Sequence, residues 1–173
     1  MNKMKIGAIR WDAWVGDKNP VGLEVEKTML STYAKKRYPF YASNLKGNLH
    51  IRCDSKDIIT KEIDYAYRYG IDYFAFCWYP FHSGLDMARN LFLTIKQDKV
   101  KWCMILGTNP MEKEDALWLI SQFVDERYQK VDGRPVVYLF DVNEKLLSIV
   151  SYIRRHCKQY MPYFIGLVWN EKP

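Results

Sequence analysis

The apolar residues of this chain are most concentrated between Gly70 and Pro80, where a near-continuous hydrophobic and aromatic run follows a glycine that can end a helix. Large apolar groups on both faces of a strand are typical of a parallel sheet that is covered on both sides. Proline donates no ladder hydrogen bond, so we expect this strand to end at Tyr79. Trp78 and Tyr79 would then lie at the carboxyl end of the sheet, where α/β folds bind ligands. The pattern favours aromatic rings that hold a flat ligand, and a sugar ring has that shape.

The rest of the hydrophobic pattern alternates between short apolar runs and segments of helical periodicity. The apolar runs predict further strands over residues 5–11, 100–106, 135–140 and 162–169. Capping residues and periodicity predict helices over 22–33, from Asp54 or Ser55 to Gly70, over 85–96 and 113–128, and from Asn143 to near Gln159. In the helix 113–128 we expect one buried face, made of Ala116, Leu117, Ile120, Phe123 and Val124.

Two connections stand out between these elements. Residues 16–52 form a long and weakly periodic segment, and a loop of that length in a compact domain is usually functional or carries minor structure of its own. Asp132 and Gly133 are a turn signal just before the strand at 135–140.

The order of elements indicates an α/β fold. Strand and helix alternate four times, with crossovers long enough for right-handed parallel units, which fits both a (β/α) barrel and an open doubly wound sheet. No glycine-rich phosphate loop follows any strand, so a nucleotide-binding fold has no motif to support it. We predict one domain, residues 1–173, with a TIM-barrel-like architecture of about the first half of a (β/α)8 barrel. Two sheet edges would be open in such a half, which allows self-association, and we expect the chain to be the N-terminal part of a larger fold.

Composition narrows the class of protein and of partner. The chain has 173 residues, 49% of them hydrophobic, and a formal net charge of +6, but its basic residues are scattered, with Lys35, Lys36 and Arg37 as the compact cluster. We therefore predict no nucleic-acid partner. The four cysteines form no C-x-x-C pair and no histidine has ligand spacing, so we expect neither a metal, a cofactor nor a disulfide framework.

Targeting signals are weak. The apolar run from Ile6 to Ile9 is too short for a signal peptide, and no later run is long enough to span a membrane. As given, the chain is expected to be cytoplasmic and not to bind membranes, while export stays open if the chain is a fragment.

The first strand ends in a cluster of aromatic and charged residues. Trp11, Asp12 and Trp14 can line a sugar subsite, in which the rings stack on the sugar and the carboxylate accepts hydroxyl hydrogen bonds; alternatively, the tryptophans seal one end of the core. Arg10 can point inward and bind a polar group, or pair with Asp12, and we favour the ion pair.

Further candidates follow the later strands. Trp78, Tyr79 and His82 form the leading patch, since histidine suits proton transfer near neutral pH, although a single loop histidine is more often a surface hydrogen-bonding residue. Asn109 and Asp141 end the third and fourth strands, where they can reach sugar hydroxyls or serve as turn and cap residues.

Several segments in order resemble the N-terminal half of glycoside hydrolase family 99-like, or WbsX-like, proteins. They are Ile6-Gly-Ala-Ile-Arg-Trp-Asp-Ala-Trp14, Pro39-Phe-Tyr-Ala42, Glu62-Ile-Asp-Tyr-Ala66, Gly70-Ile-Asp-Tyr-Phe-Ala-Phe-Cys-Trp-Tyr79 and Gly133-Arg-Pro-Val-Val-Tyr-Leu-Phe140. The resemblance implies a (β/α)8 barrel and a carbohydrate ligand, either an oligosaccharide or a polysaccharide.

The resemblance also implies what this chain lacks. The catalytic carboxylates of the family lie on a late barrel segment that resembles Trp-Asn-Glu-Trp-x-Glu. Trp169-Asn170-Glu171 repeats its first three residues, but it follows only the fifth strand, and we interpret it as coincidence. Glycoside hydrolysis generally needs two carboxyl groups in fixed roles, so we expect a glycan-active protein whose catalytic residues are unknown and which is inactive as a hydrolase by itself. A polysaccharide-biosynthesis protein that transfers sugars, a non-catalytic carbohydrate-binding or interaction module, and a truncated relic without function are the alternatives.

Overall fold

The computed structural model describes residues 4–30 and 37–167, which form a mixed α/β fold with a mostly parallel central sheet. The strands are β1 (Gly7–Arg10), β2 (Ser43–Leu45), β3 (Asn48–His50), β4 (Tyr73–Cys77), β5 (Lys101–Leu106), β6 (Lys130–Val131), β7 (Arg134–Leu139) and β8 (Tyr163–Gly166). The α-helices are α1 (Pro20–Met29), α2 (Lys56–Arg68), α3 (Met87–Thr94), α4 (Lys113–Gln122) and α5 (Glu144–His156), and a short 3-10 helix spans Gly16–Lys18.

The chain divides into two compact units. The first, the sheet unit, consists of residues 4–10, 66–80 and 98–167, and the second, the hairpin unit, consists of residues 11–30, 37–65 and 81–97. The prediction of one continuous domain and that of self-association through open edges both stay predictions.

The sheet unit is built on five parallel strands. Their order is β1, β4, β5, β7 and β8, and the short β6 pairs antiparallel with the start of β7. The register places Gly7 beside Tyr73, Tyr73 beside Lys101 and Ile105 beside Tyr138. The outermost strands of the described sheet are β1 and β8. This order confirms the α/β class and the parallel crossovers, while closure as half of a barrel stays a prediction.

One face of the sheet is covered by helices. Trp102 of β5 contacts the ring of Tyr128, which in turn contacts Phe123 at the end of α4. The guanidinium of Arg154 on α5 lies 5.2 Å from the ring centre of Phe164 on β8. Because side chains alternate along a strand, the opposite face carries Gly7, Tyr73, Ala75, Ile105 and Tyr138.

The buried face of α4 differs from the predicted one. Ala116, Leu119 and Phe123 are buried, whereas Leu117 is 46% exposed and Val124 is 65% exposed. The sequence offers apolar residues on more than one side of this helix, and the hydrophobic pattern alone does not choose between them. Packing against the rest of the sheet unit decides that the face with Ala116, Leu119 and Phe123 is the buried one.

Caps set the ends of the helices as the sequence predicts. The Asn143 side chain accepts a hydrogen bond from the Leu146 N–H at 3.1 Å and begins α5. The Ser55 hydroxyl accepts from the Ile58 N–H at 3.3 Å at the start of α2, and Gly70, with φ of +84°, follows the end of that helix. Glycine adopts this left-handed conformation without the steric cost that a Cβ adds.

The hairpin unit shows what the long connection contains. The strands β2 and β3 form an antiparallel hairpin whose turn residues, Lys46 and Gly47, both have positive φ, as in a two-residue primed turn. Glu26 of α1 is buried, and its carboxylate accepts a hydrogen bond from the Ile51 N–H at 2.7 Å. The expectation of minor structure in residues 16–52 is confirmed.

Candidate functional site

The carboxyl ends of β4 and β5 are joined through a backbone carbonyl. The Trp78 carbonyl accepts hydrogen bonds from the Thr108 hydroxyl at 2.8 Å and from the Asn109 side-chain amide at 3.1 Å. Gly107 precedes these residues with φ of +96°, and a Cβ at this position would collide with the Phe140 carbonyl oxygen. The backbones at the ends of β5 and β7 can therefore approach only because residue 107 is glycine.

Trp78 lies at the end of β4, but it does not offer its ring to a ligand. The side chain is fully buried, its Nε1–H donates to the Pro110 carbonyl at 3.0 Å, and its ring centre lies 5.9 Å from that of Trp118. Tyr79 is also buried. This corrects the expectation that both rings stack on a sugar at the mouth of the sheet, because a ring without exposed surface has no face on which a sugar can lie.

Arg10 lies on the helix-facing side of the sheet. Its guanidinium is 5.1 Å from the ring centre of Phe74 and 5.5 Å from that of Phe76, both on β4. Such cation–π contacts stabilise a guanidinium over an aromatic face. This position differs from the inward orientation that one of the two predictions for Arg10 required.

Asn109 borders a cleft of about 500 Å³ in the sheet unit. We call it the strand-end cleft, and its walls are residues 107–113 together with Asn143, Lys145, Leu146, Ser148 and Ile149. Small-molecule sites commonly have volumes of ~300–1,000 Å³ and combine an apolar floor with a few polar groups. Here Pro110, Met111 and Leu146 provide the apolar part, and hydroxyl, amide and ammonium groups provide the rest.

Asp141 lies next to this cleft in sequence but has a turn conformation. It is exposed, its φ is +48°, and its carbonyl accepts a hydrogen bond from the Asn143 side-chain amide at 3.2 Å. Both alternatives for Asn109 and Asp141 placed them at the rim of the sheet. In the structure the Asn109 amide bridges to the Trp78 carbonyl at the end of the neighbouring strand, and Asp141 occupies a bend with positive φ. Thr108, Lys145 and Ser148 were missed, although the position of Thr108 directly before Asn109 is a signal that could have identified it.

The candidates after β1 belong to the hairpin unit and differ strongly in exposure. Trp11 is 61% exposed, Trp14 is half-buried, and Asp12 is buried, with 3% of the residue exposed. An exposed indole can contact a ligand directly, whereas the buried Asp12 is better placed to organise the loop. The role of these residues in binding stays a prediction.

His82 lines a second cleft, of about 490 Å³, in the hairpin unit. We call it the basic cleft, because Lys18 and Lys56 also line it. His82 is exposed and has φ of +64°, and its backbone N–H donates to the Asp86 carboxylate at 3.0 Å. A left-handed backbone at a residue with a Cβ persists only where its surroundings hold it, and the Asp86 contact does so here.

The face of the sheet opposite the helices carries a tyrosine pair. The hydroxyls of Tyr73 and Tyr138 lie 2.7 Å apart, and they border a groove of about 180 Å³ with Ile9 and Ala75. Burial, and then the hydrogen bond with Tyr138, raise the pKa of Tyr73 well above its ordinary value. The sequence shows two apolar strands here and gives no sign of this pair.

The described part of the chain contains neither a candidate metal cluster nor a helix fit to cross a membrane. Within residues 4–30 and 37–167, no group of three or more His, Cys, Asp or Glu side chains could hold a metal ion. None of the helices in these ranges has the length and apolar content that a membrane crossing requires. The Trp169-Asn170-Glu171 segment lies outside the described residues.

The chain was compared with protein-family models, with curated proteins and with solved structures, and none of the three comparisons gives a match. The resemblance to family 99-like and WbsX-like proteins therefore rests on the sequence motifs and stays a prediction.

Proposed function

We propose that this chain is a carbohydrate-binding part of a TIM-barrel-like protein of the glycoside hydrolase family 99-like or WbsX-like type, corresponding to about the first half of the barrel. The observation that carries the proposal is the strand-end cleft, which lies beyond the carboxyl ends of parallel strands. Ligands bind at that end in barrels and in open α/β sheets alike.

The polar groups of the cleft suit sugar hydroxyls. The Asn109 side-chain nitrogen is engaged with the Trp78 carbonyl, which fixes the amide so that its oxygen can accept a further hydrogen bond. Ser148 adds a hydroxyl and Lys145 an ammonium donor from the first turns of α5. Sugars present many hydroxyls that both donate and accept, so a mixed set of this kind recognises them without a charged group on the ligand.

The number of carboxylates in the strand-end cleft favours sugar binding over glycoside hydrolysis as its role. Among the described residues that line it, Glu112 is the single carboxylate. A glycosidase generally holds two carboxyl groups on either side of the bond to be cleaved. A sugar-binding role therefore needs nothing beyond the described residues, whereas hydrolysis or sugar transfer needs further groups.

A substitution that fills the cleft tests the proposal. In Ser148→Tyr a large side chain occupies the cleft, and we expect mannose-containing oligosaccharides to bind at least about tenfold more weakly by calorimetry, since displaced hydroxyl contacts are lost. Ser151→Tyr is the control, because Ser151 is an exposed residue of the same helix that does not line the cleft.

Two results would contradict the proposal. One is the failure of the unaltered protein to bind any oligosaccharide of a panel that contains neutral and acidic members, and the other is equal binding by the Ser148→Tyr and Ser151→Tyr variants. Release of new reducing ends from a bound oligosaccharide would identify a hydrolase, and transfer from a sugar nucleotide would identify the biosynthetic alternative.

A further inference from the structure

The basic cleft brings three positively charged or chargeable side chains together from three separate segments. Lys18 ends the 3-10 helix, Lys56 is the first residue of α2, and His82 lies in the loop before α3. Nothing in the local sequence around any one of these residues indicates the group. The fold of the hairpin unit creates it.

Close contacts hold two of the segments in place. The Asn19 side-chain amide donates to the Ser83 carbonyl at 2.8 Å, while its oxygen accepts from the Val21 N–H at 3.0 Å and begins α1. A Cβ at Gly84 would lie 2.5 Å from the Lys18 carbonyl oxygen, so the two backbones are in direct contact. The positions of Lys18 and His82 relative to each other are therefore fixed before any ligand binds.

The acidic residue of this cleft does not neutralise the lysines. Asp86 is buried, and its carboxylate accepts hydrogen bonds from the His82 N–H at 3.0 Å and from the Asn90 side-chain amide at 2.7 Å. The buried Arg89 guanidinium lies 3.6 Å from the same oxygen and balances its charge. Within the described residues, no ion pair joins Lys18 or Lys56 to a carboxylate, so the cleft keeps an excess of positive charge.

We propose that the basic cleft binds an anionic group of an acidic glycan, of which the carboxylate of a uronic acid is the prime case. This inference rests on the proposed function for the ligand being a glycan, and it adds the class of sugar. The ammonium groups of Lys18 and Lys56 pair with the anion, and His82 donates a hydrogen bond when its ring nitrogen faces the ligand. The net charge of +6 attracts the same class of polymer at a distance.

The test compares an oligogalacturonate with a neutral oligosaccharide of equal length, on the full chain, by calorimetry. We expect the acidic ligand to bind more tightly at low salt and to lose that advantage as salt is raised. Lys18→Ala and Lys56→Ala should each weaken the acidic ligand about two- to fivefold, which is the size expected of ion pairs at an exposed site, and leave the neutral ligand unchanged.

Lys61→Ala is the matched control for the charge. Lys61 is an exposed lysine on α2, the same helix as Lys56, but it does not line the cleft. If Lys61→Ala weakens the acidic ligand as much as Lys56→Ala, the attraction comes from overall charge and the cleft is not the site. Competition by inorganic sulfate that is lost in the Lys18→Ala, Lys56→Ala double variant supports a site for anions.

The two proposals fail in different ways. Equal affinity for the acidic and neutral oligosaccharides overturns the proposal that the basic cleft binds acidic glycans, but it does not contradict carbohydrate binding by the chain. Binding of sulfate that depends on both lysines, without binding of either oligosaccharide, overturns the glycan class of ligand. Binding of neither sulfate nor uronate overturns the inference.

Discussion

Trp78 offers the sharpest test of whether an aromatic residue at the end of a strand is a ligand contact or a packing residue. The change Trp78→Phe keeps an aromatic ring but removes the indole N–H, which donates to the Pro110 carbonyl at 3.0 Å. Losing one hydrogen bond of this kind costs about 1 kcal/mol. Aromatic side chains bury ~150–250 Å² each, and the smaller ring gives up about 50 Å² of that, which is worth about 1.2 kcal/mol at ~25 cal/mol per Å².

The expected loss is therefore about 2 kcal/mol in the free energy of unfolding. Urea denaturation, followed by far-ultraviolet circular dichroism, measures it as a midpoint shift of about 1 M for a slope of ~2 kcal/mol per M. Trp78→Ala would cost more, about 3–5 kcal/mol, because it leaves a cavity beside Trp118. The phenylalanine variant is the workable one, since whole domains are stable by only ~5–15 kcal/mol.

Trp11→Phe is the matched control for this prediction. Trp11 is 61% exposed, and surface substitutions usually change stability by no more than about 0.5 kcal/mol. If the Trp78 and Trp11 variants unfold at the same urea concentration, Trp78 is not a packing residue and the argument from its burial is refuted.

Two further predictions concern the backbone and the tyrosine pair. Gly107→Ala should destabilise the chain clearly more than Gly70→Ala in urea denaturation. Both glycines have positive φ, but of the two only Gly107 has a neighbour, the Phe140 carbonyl, that a Cβ would meet. Equal losses in the free energy of unfolding would refute the steric reason. The raised pKa of Tyr73 stabilises the fold below about pH 10, the ordinary tyrosine value, and this contribution falls as the pH rises further, because the unfolded chain then releases the phenol proton first. Tyr73→Phe should reduce the loss of stability between pH ~9 and ~11, and an unchanged alkaline profile would contradict this.

Features of the fold that depend on short stretches of sequence were predicted well. The helix that Asn143 caps begins one residue later, at Glu144, and the strand predicted from residue 100 runs from Lys101 to Leu106. Caps, glycines and apolar runs act on their immediate neighbours, so the sequence alone contains the necessary information. The hairpin that turns at Lys46 and Gly47 was not predicted, because strands of three residues carry too little periodicity to identify.

Features that depend on distant residues were not predicted. The burial of Trp78 results from Trp118 and from the Pro110 carbonyl, each more than thirty residues away along the chain. The basic cleft likewise needs Lys18, Lys56 and His82, from three separate segments, to line the same cleft. Strand order placed Asn109 correctly at the carboxyl end of the sheet, but the walls of its cleft come from α5, whose position is set by packing rather than by any local pattern.

The burial of Trp78 changes what this residue does for binding without removing it from the site. Its carbonyl holds the Thr108 hydroxyl and the Asn109 amide, so the packed indole fixes the wall of the strand-end cleft. Direct stacking predicts that Trp78→Phe weakens sugar binding while stability stays unchanged. A packing role predicts the opposite result. Trp78→Phe then lowers the free energy of unfolding, and the variant that remains folded still binds sugar, because the backbone carbonyl remains in place. Measuring both quantities on the same variant therefore separates the two roles, which neither measurement does alone.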